Sequence, residues 1–241
     1  MKLTDFRVLT FDCYGTLIDW ETGIHEALRP WLESEGRQID REQVLVTYAK
    51  AEARIEAANP GALYPEILAK THRDLARTWE ISSSDDQAAE FAASVGDWPA
   101  FPDSPAALRY LQRHFKLVIL SNVDRASFTR SQERLGVIFD AIYTAEEIGG
   151  YKPDLRNFHY MLDRQAELGV DKSQILHVAQ SLFHDHVPAN QLGLANCWID
   201  RRHDKPGGGA TMTPVRDVTT DFRATSMAAL AEQHRACVGS R

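Results

Sequence analysis

An aspartate directly after an apolar segment is the first residue of this sequence that could do chemistry. Asp12 follows Val8–Phe11, which has the composition of a short buried strand, and Gly15 allows the chain to turn sharply there. A carboxylate is already ionised at neutral pH, so an aspartate can attack an electrophilic carbon without a base to activate it. Taken alone, Asp12 is better explained as an ordinary turn residue, and its assignment as a nucleophile depends on which residues converge near it.

Polar residues also follow three later apolar segments. They are Ser121 and Asn122 after residues 117–120, Lys152 shortly after 141–143, and Gln180, Ser181, His184 and Asp185 after 175–179. Helical patterns separate these segments, and strands separated by helices pair in parallel through right-handed crossovers. The carboxyl ends of parallel strands share one edge of a sheet, where ligands bind. These residues and Asp12 are therefore predicted to form one site.

A long helical block lies between the first strand and the second. From about residue 22 to 95 apolar residues recur at helical spacing, with breaks at 59–61 and 82–85. Pro99 and Pro102 then make a stiff connector, after which helices and strands alternate up to a fifth strand at 195–199. Residues 201–214 are predicted to be a loop and 226–236 a last helix. The pattern predicts an α/β protein with a parallel sheet and an inserted helical block.

Composition restricts the class of protein further. The 241 residues are 44% hydrophobic and 25% charged, and the net charge of −7 gives no electrostatic attraction to nucleic acid or to anionic membranes. The first residues lack the basic-then-apolar pattern of a signal segment, and no apolar stretch approaches the ~20 residues of a membrane span. The three cysteines form no CxxC pair and are expected to be reduced. We expect a cytoplasmic protein with no nucleic-acid or membrane partner.

The order and spacing of the candidate residues resemble the four motifs of the haloacid dehalogenase superfamily. Residues 12–16 resemble the first motif, Ser121-Asn122 the second, Lys152 the third and Asp185 the fourth. The helical block stands where that family inserts its cap domain, so the resemblance covers nearly the whole chain. It implies a Rossmann-like parallel-sheet core domain of residues 1–18 and 99–241, with an all-helical cap domain at 19–98.

Tyr14 stands at the position that separates the branches of this superfamily. Its phosphatases carry a second aspartate two residues after the nucleophile, which protonates the leaving alkoxide. A phenol does this poorly at neutral pH, so Tyr14 disfavours phosphate esters and favours a leaving group that departs without acid help. The pattern resembles the type II, (S)-2-haloacid dehalogenase branch, which is metal-independent. The resemblance implies a small carboxylate substrate and no cofactor or metal. It is also compatible with a homodimer, although the sequence does not fix the oligomeric state.

The resemblance also implies roles for individual residues. Asp12 would displace the leaving group at C2 of a small 2-substituted carboxylate, giving an ester that water hydrolyses to a 2-hydroxy acid. Lys152 would hold Asp12 and keep the pKa of its carboxyl low, Thr16 would hydrogen-bond Asp12, and Asp185 would orient Lys152 or the water. His184 is a candidate base for that water, because an unperturbed histidine pKa near ~6.5 suits the task. The candidates for binding substrate are Cys13, Tyr14, Ser121, Asn122, Gln180 and Ser181.

Some of these residues could also have a purely structural role. Cys13 has no histidine partner in its own motif and could be a small packing residue. The run His184-Asp185-His186 could suggest a metal cluster, but adjacent side chains diverge, so we favour one histidine in the site and the other in a structural role. A non-catalytic domain on the same fold is disfavoured because Asp12 and Lys152 are both present.

Three departures from the dehalogenase pattern point to an alternative substrate. The chain lacks an arginine at the expected halide-binding place in the cap, with Arg54 the nearest, and has Phe158 in place of a tyrosine. The fourth loop also differs, and several runs are similar to L-azetidine-2-carboxylate hydrolases of the same branch, which open a four-membered ring. A protonated ring amine also leaves without acid help, and Glu52 or Glu56 could attract it. Haloacid dehalogenation is the first prediction, ring opening the alternative and phosphate hydrolysis the third.

Overall fold

The central element of the fold is a parallel β-sheet. The computed structural model describes residues 1–205 and 207–239, and within these residues the sheet has six strands in the order β3-β2-β1-β4-β5-β6. The strands are β1 Val8–Phe11, β2 Lys116–Ser121, β3 Ala141–Thr144, β4 Ile175–Ala179, β5 Asn196–Ile199 and β6 Phe222–Ala224. All paired strands run parallel. The predicted α/β, Rossmann-like fold is confirmed.

The central strand is apolar because both of its neighbours and both of its faces are covered. Every residue of β1 is buried, with β2 on one side and β4 on the other. Leu9 lies beside Leu117 and Leu176, and Phe11 lies beside Ile119 and Val178. Continuous apolar strands of this kind are typical of a parallel sheet that is covered by helices on both faces.

Ten α-helices surround or adjoin this sheet in the described part of the chain. They are α1 Trp20–Ser34, α2 Arg41–Ala58, α3 Tyr64–Trp79, α4 Asp85–Ala93, α5 Ser104–Leu111, α6 Arg125–Leu135, α7 Ala145–Ile148, α8 Leu155–Glu167, α9 Val187–Gln191 and α10 Met227–Gly239. Local capping explains several starts, because the side chains of Asp19, Asp40 and Ser84 accept hydrogen bonds from the first backbone amides of α1, α2 and α4. None of these helices is long and apolar enough to cross a membrane.

Helices α1 to α4 form the helical block that was predicted between the first two strands. Their shared core is aromatic: the Trp31 ring lies 4.0 Å from the His72 ring and 5.9 Å from the Trp79 ring, centroid to centroid. Two antiparallel chain segments connect the block to the sheet, with Asp19 N donating to Pro99 O at 2.7 Å and Phe101 N donating to Leu17 O at 3.0 Å. The division into a core domain and a cap domain at 19–98 stays a prediction.

The loop after β5 reaches back to the helical block. Arg202 forms ion pairs with Glu21 of α1 and Glu42 of α2, both at 2.7 Å. Gly209 sits so close that an added Cβ atom would lie 1.8 Å from Glu21, and its φ of +63° also favours glycine. The loop was predicted from the sequence, but its ion pairs with α1 and α2 were not. Strand β6 was also missed, because three residues with an arginine in the middle give no apolar run.

Candidate active site

The turn after β1 places Asp12 at the carboxyl edge of the sheet. Asp12 N donates to Val178 O of β4 at 3.1 Å, so the nucleophile candidate is held to the sheet by its own backbone. Gly15, with φ of +92°, lets the chain reverse, and Gly15 N donates to Ile18 O at 2.8 Å. The reversal brings Thr16 back over Asp12, where its hydroxyl donates to Asp12 Oδ2 at 2.7 Å. One short turn thus fixes one carboxylate oxygen.

Lys152 fixes the other oxygen and joins Asp12 to Asp185. Its Nζ atom lies 2.9 Å from Asp12 Oδ1, 2.7 Å from Asp185 Oδ1 and 3.0 Å from Leu120 O. All three groups are buried, and Lys152 is only 2% exposed. An ammonium has three N–H donors, and here each one has an acceptor. The residues predicted from three separate loops therefore meet at one point.

Burial and charge oppose each other in this cluster. Burial raises the pKa of Asp12, although Lys152 opposes the rise. Lys152 lowers the pKa of Asp12 as expected from its charge, but desolvation outweighs this attraction and the net shift is upward. Burial alone would lower the pKa of Lys152, but the two carboxylates outweigh it and the pKa is raised. Burial would also raise the pKa of Asp185, yet Lys152 and His177 hold it well below its ordinary value.

His177 is a member of this network that the sequence did not reveal. Its Nε2 atom lies 2.9 Å from Asp185 Oδ1, and its Nδ1 atom lies 2.9 Å from the Thr10 hydroxyl. The side chain is completely buried in β4. A histidine inside an otherwise apolar strand was the available signal, since a buried imidazole needs polar partners. His177 fixes the orientation of Asp185, which in turn contacts Lys152.

The fourth loop separates the two histidines that flank Asp185. Residues Leu182–His186 form a π-helical turn, a rare element often found at functional sites. His184 lines the cavity above Asp12, and its Nδ1 atom lies 3.2 Å from the Ser181 hydroxyl. His186 instead contacts Asn196 Oδ1 at 2.8 Å and Ala179 O at 2.9 Å, inside the core. Burial lowers the pKa of His184 to about 4, so it is neutral at pH 7 and a weaker base than the unperturbed residue assumed from sequence.

The predicted substrate-binding residues divide into two groups. Tyr14, Ser121, Asn122 and Ser181 line the cavity. Within the described part of the chain the Ser121 hydroxyl is buried without a hydrogen-bond partner, so it is free to donate to a ligand. Asn122 also exchanges two hydrogen bonds with the Lys152 backbone, at 2.6 and 3.0 Å, and so holds the loop that carries Lys152.

Two of those predictions do not fit the side-chain positions. The Cys13 side chain is completely buried in the hydrophobic core, where burial raises the pKa of the thiol well above its ordinary value. Gln180 lies outside the cavity: its backbone N–H donates to the Thr16 hydroxyl at 2.8 Å, and its side chain accepts from Thr211 at 3.1 Å. Both residues follow a strand end, where alternate side chains point to opposite sides. The adjacent positions, not these two, face the cavity.

The helical block closes the cavity with a different set of side chains. Trp20, Glu52, Glu56 and Tyr64 line it opposite Asp12, and its free volume is about 30 Å³. Glu52 and Glu56 are four residues apart on α2, so they share one face of that helix. Glu52 Oε1 accepts hydrogen bonds from the Tyr48 and Tyr64 hydroxyls, both at 2.6 Å. Burial raises the pKa of Glu52 to about 7, and it raises the pKa of Glu56 well above its ordinary value.

Cations are scarce around this cavity. Among the described residues that line it, Lys152 is the one permanent cation. Arg54 pairs with Asp74 on the outside of the helical block and is largely exposed, so it does not substitute for a halide-binding arginine. The described residues contain no group of three or more side chains arranged to hold a metal ion. Lys152 bridges Asp12 and Asp185 through one oxygen of each carboxylate, and Asp185 Oδ2 is buried without a hydrogen-bond partner among the described residues.

The carboxyl edge of this parallel sheet thus carries an aspartate, a lysine and a second aspartate in contact. A family model described as haloacid dehalogenase-like hydrolase matches residues 6–180. The chain belongs to this family and is a hydrolase.

Individual proteins of known structure share the fold of this chain at low sequence identity. The L-2-haloacid dehalogenase from Xanthobacter autotrophicus, with chloropropionic acid covalently bound, matches with 18% identity over 95% of this chain and 98% of that one, at a TM-score of 0.75. The putative hydrolase YfnB from Bacillus subtilis, bound to magnesium, matches with 17% identity over 96% and 98%, at 0.74.

A curated relative matches over a shorter stretch. The pyrimidine 5'-nucleotidase YjjG from Escherichia coli strain K12 is 29% identical over 110 residues, which cover 44% of this chain and 48% of that protein. The chain thus aligns with about half the length of this relative. The two structures show the shared fold, and neither they nor YjjG define the substrate.

Proposed function

We propose that this hydrolase opens the ring of a small cyclic imino acid, with L-azetidine-2-carboxylate as the model substrate. The observation that supports the proposal is that Glu52 and Glu56 line the same cavity as Asp12, and that Lys152 is the one permanent cation among the described residues lining it. The Glu52 carboxylate attracts a leaving group that bears positive charge and repels one that departs as an anion. The ring nitrogen of this substrate is a secondary ammonium at neutral pH.

In the first half of the reaction Asp12 attacks C2 of the substrate. A bond forms between the carboxylate oxygen and C2, the C2–N bond breaks, and its electron pair stays on nitrogen. The ammonium thereby becomes a neutral primary amine, so no acid is needed for the bond to break. Lys152 and Thr16 hold both Asp12 oxygens in place, and the free Ser121 hydroxyl can donate to the substrate carboxylate.

In the second half, water attacks the carbonyl carbon of the Asp12 ester. The Lys152 ammonium and the Thr16 hydroxyl donate to this group and stabilise the negative charge that develops on its oxygen. The neutral His184 faces the same cavity and can accept a proton from the water. The alcohol leaves as a 4-amino-2-hydroxy acid, and Asp12 is regenerated as a carboxylate.

Dehalogenation of (S)-2-haloacids is the second candidate. The Asp12, Lys152 and Asp185 arrangement supports it equally, because a halide also leaves without a proton. The cavity favours it less, since a departing halide would meet the Glu52 carboxylate and, among the described residues lining the cavity, no guanidinium. Phosphate hydrolysis is third: the Tyr14 hydroxyl bonds the Ser131 hydroxyl at 2.9 Å, and burial raises the pKa of the phenol, so no acid is positioned for an alkoxide.

One assay separates the candidates. Purified protein in EDTA is given L-azetidine-2-carboxylate, (S)-2-chloropropionate or a panel of phosphate esters, and product amine, chloride or phosphate is measured. We expect amine from the first substrate, and none with the Asp12→Asn variant. Chloride without amine would replace the proposal with dehalogenation. Phosphate release restored by Mg²⁺ would overturn both.

A further inference from the structure

The two glutamates of the cavity are not equivalent. Glu52 accepts two hydrogen bonds from tyrosine hydroxyls, which is the environment of a carboxylate that binds charge. Glu56 is 6% exposed, lines the same cavity, and its carboxyl forms no hydrogen bond or ion pair with any described residue. A buried carboxyl without donors is stable only when it carries a proton. The fold therefore places side by side two carboxyls with different hydrogen bonding, and burial favours the protonated form of Glu56.

The groups around Glu56 maintain this state. Glu52 and Tyr48 face it from its own helix, α2, and Tyr151 and Lys152 approach from the loop after β3. Burial is the largest cause of its raised pKa, followed by repulsion from Glu52, and the attraction of Lys152 does not compensate. The Glu56 carboxyl thus lines the same cavity as Asp12, and its environment favours the protonated form.

The proposed ring opening creates a problem that such a proton solves. The amine released from C2 stays tethered to the Asp12 ester through two methylene groups. An uncharged amine is a nucleophile, and it can reach the ester carbonyl through a six-membered transition state. That attack would transfer the Asp12 acyl group from oxygen to nitrogen and leave a stable amide, which inactivates the enzyme.

We propose that the Glu56 carboxyl protonates the amine as the ring opens, and so protects the Asp12 ester from intramolecular attack. This inference rests on the ring-opening function proposed above. The O–H bond of Glu56 breaks, an N–H bond forms, and an alkylammonium is left beside the Glu56 and Glu52 carboxylates. Hydrolysis of the ester then liberates one proton, which returns to Glu56 through the solvent of the cavity and His184. The cycle consumes one water and no net proton.

The test is the fate of Asp12 in a Glu56→Gln variant. The substitution keeps the size of the side chain but removes the proton that can be transferred. With L-azetidine-2-carboxylate we expect a single ring opening for each active site, followed by loss of activity. Intact-protein mass spectrometry should show an increase equal to one substrate molecule, at Asp12, that resists hydroxylamine, because hydroxylamine cleaves esters and spares amides.

Matched variants and a pH series complete the experiment. Glu66→Gln changes an exposed glutamate and should turn over repeatedly without an adduct. Asp12→Asn combined with Glu56→Gln should form none. If the wild-type protein releases no amine, the proposed function fails. If it does, but folded Glu56→Gln turns over repeatedly without an adduct, or gives neither product nor adduct, the Glu56 proposal fails.

The wild-type protein provides a test that does not depend on the variant folding. Raising the pH removes the Glu56 proton from a growing share of molecules. The number of turnovers completed before inactivation should therefore fall as pH rises, with the same hydroxylamine-resistant adduct accumulating. If the number of turnovers completed before inactivation does not depend on pH, and no adduct forms, the proposal is contradicted.

Discussion

At the scale of single residues, Lys152 has the largest effect on both stability and chemistry. It is buried between two buried carboxylates, and it also donates to a backbone carbonyl. Removing one member of such a cluster leaves charge uncompensated in a medium of low dielectric constant. In the proposed mechanism, the same ammonium stabilises negative charge on the Asp12 ester. Folding and the proposed catalysis therefore depend on one side chain.

The variant Lys152→Met should lose about 3–5 kcal/mol of unfolding free energy, because Asp12 and Asp185 are left without their cation. It should also lose ring-opening activity. Urea denaturation measures the first effect. Adding Asp185→Asn to this variant should recover part of the stability, since one unpaired charge is removed. A single variant as stable as the wild-type protein would show that the cluster is not fully desolvated.

Tyr14 offers the opposite case, a residue beside the nucleophile whose hydroxyl points elsewhere. Because that hydroxyl bonds Ser131, Tyr14→Phe should cost about 1 kcal/mol of stability and leave kcat nearly unchanged. If the phenol were the acid of the reaction, kcat would instead fall by about 10²- to 10⁴-fold. Steady-state kinetics distinguish the two results, and Ser131→Ala is the matched control.

At the scale of elements, α1 packs closely against the connector that carries Trp98. A Cβ atom on Gly23 would lie 2.2 Å from Trp98 Cγ, and the Trp98 ring meets the Tyr14 ring edge-on at 5.8 Å between centroids. The start of α1 therefore packs against Trp98, which in turn packs against Tyr14 of the cavity. We expect substitutions at this contact to change the shape of the cavity.

Gly23→Ala should destabilise the protein by about 1–3 kcal/mol, because Trp98 must move. This outcome runs against helix propensity, which favours alanine by about 1 kcal/mol. Gly61→Ala is the control, since nothing lies within 4 Å of its added Cβ atom, and we expect a change within about 0.5 kcal/mol. Thermal unfolding of both variants compares them. A stabilised Gly23→Ala protein would mean that Trp98 yields easily.

The elements also show how far sequence reasoning reaches. The five long apolar strands and the helical block were predicted because their signal is local: apolar runs and helical periodicity. The meeting of Asp12, Lys152 and Asp185 followed from parallel topology alone. The π-helical turn at Leu182–His186, the contact of His177 with Asp185 and the tie of Arg202 to α1 and α2 were not predictable. They depend on which side chains meet across the fold, and no local pattern encodes that.

At the scale of the whole molecule, the buried glutamates link stability to pH. The pKa of Glu52 is about 7 in the folded protein, against an ordinary value of 4.5. Between these two pH values the unfolded chain loses the proton while the folded protein keeps it, so stability falls as pH rises, by about 3 kcal/mol in total. His184 acts in the opposite direction, because its lowered pKa of about 4 makes stability fall as pH drops below 6.5.

Comparing the wild-type protein with Glu52→Gln removes the contribution of His184, which is common to both, and leaves that of Glu52 together with its effect on Glu56. The unfolding free energy of the wild-type protein minus that of the variant should decrease by about 3 kcal/mol from pH 4.5 to pH 7.5. Chemical denaturation at a series of pH values gives this difference. A difference that stays constant would mean that Glu52 titrates in the folded protein as it does in water.

The cavity between the sheet and α1–α4 has room for roughly one or two water molecules, because its free volume is about 30 Å³. The proposed cyclic imino acid is larger, so we expect α2 and α3 to separate from the sheet once for substrate to enter and once for product to leave. The ion pairs of Arg202 with Glu21 and Glu42 join the loop after β5 to α1 and α2, so this loop either holds the helices back or moves with them. Once α2 and α3 have closed over the substrate, the substrate reacts before it can leave. We then expect the nitrogen isotope effect on the observed rate to be suppressed, and this rate to depend on the viscosity of the solvent rather than on the strain of the ring.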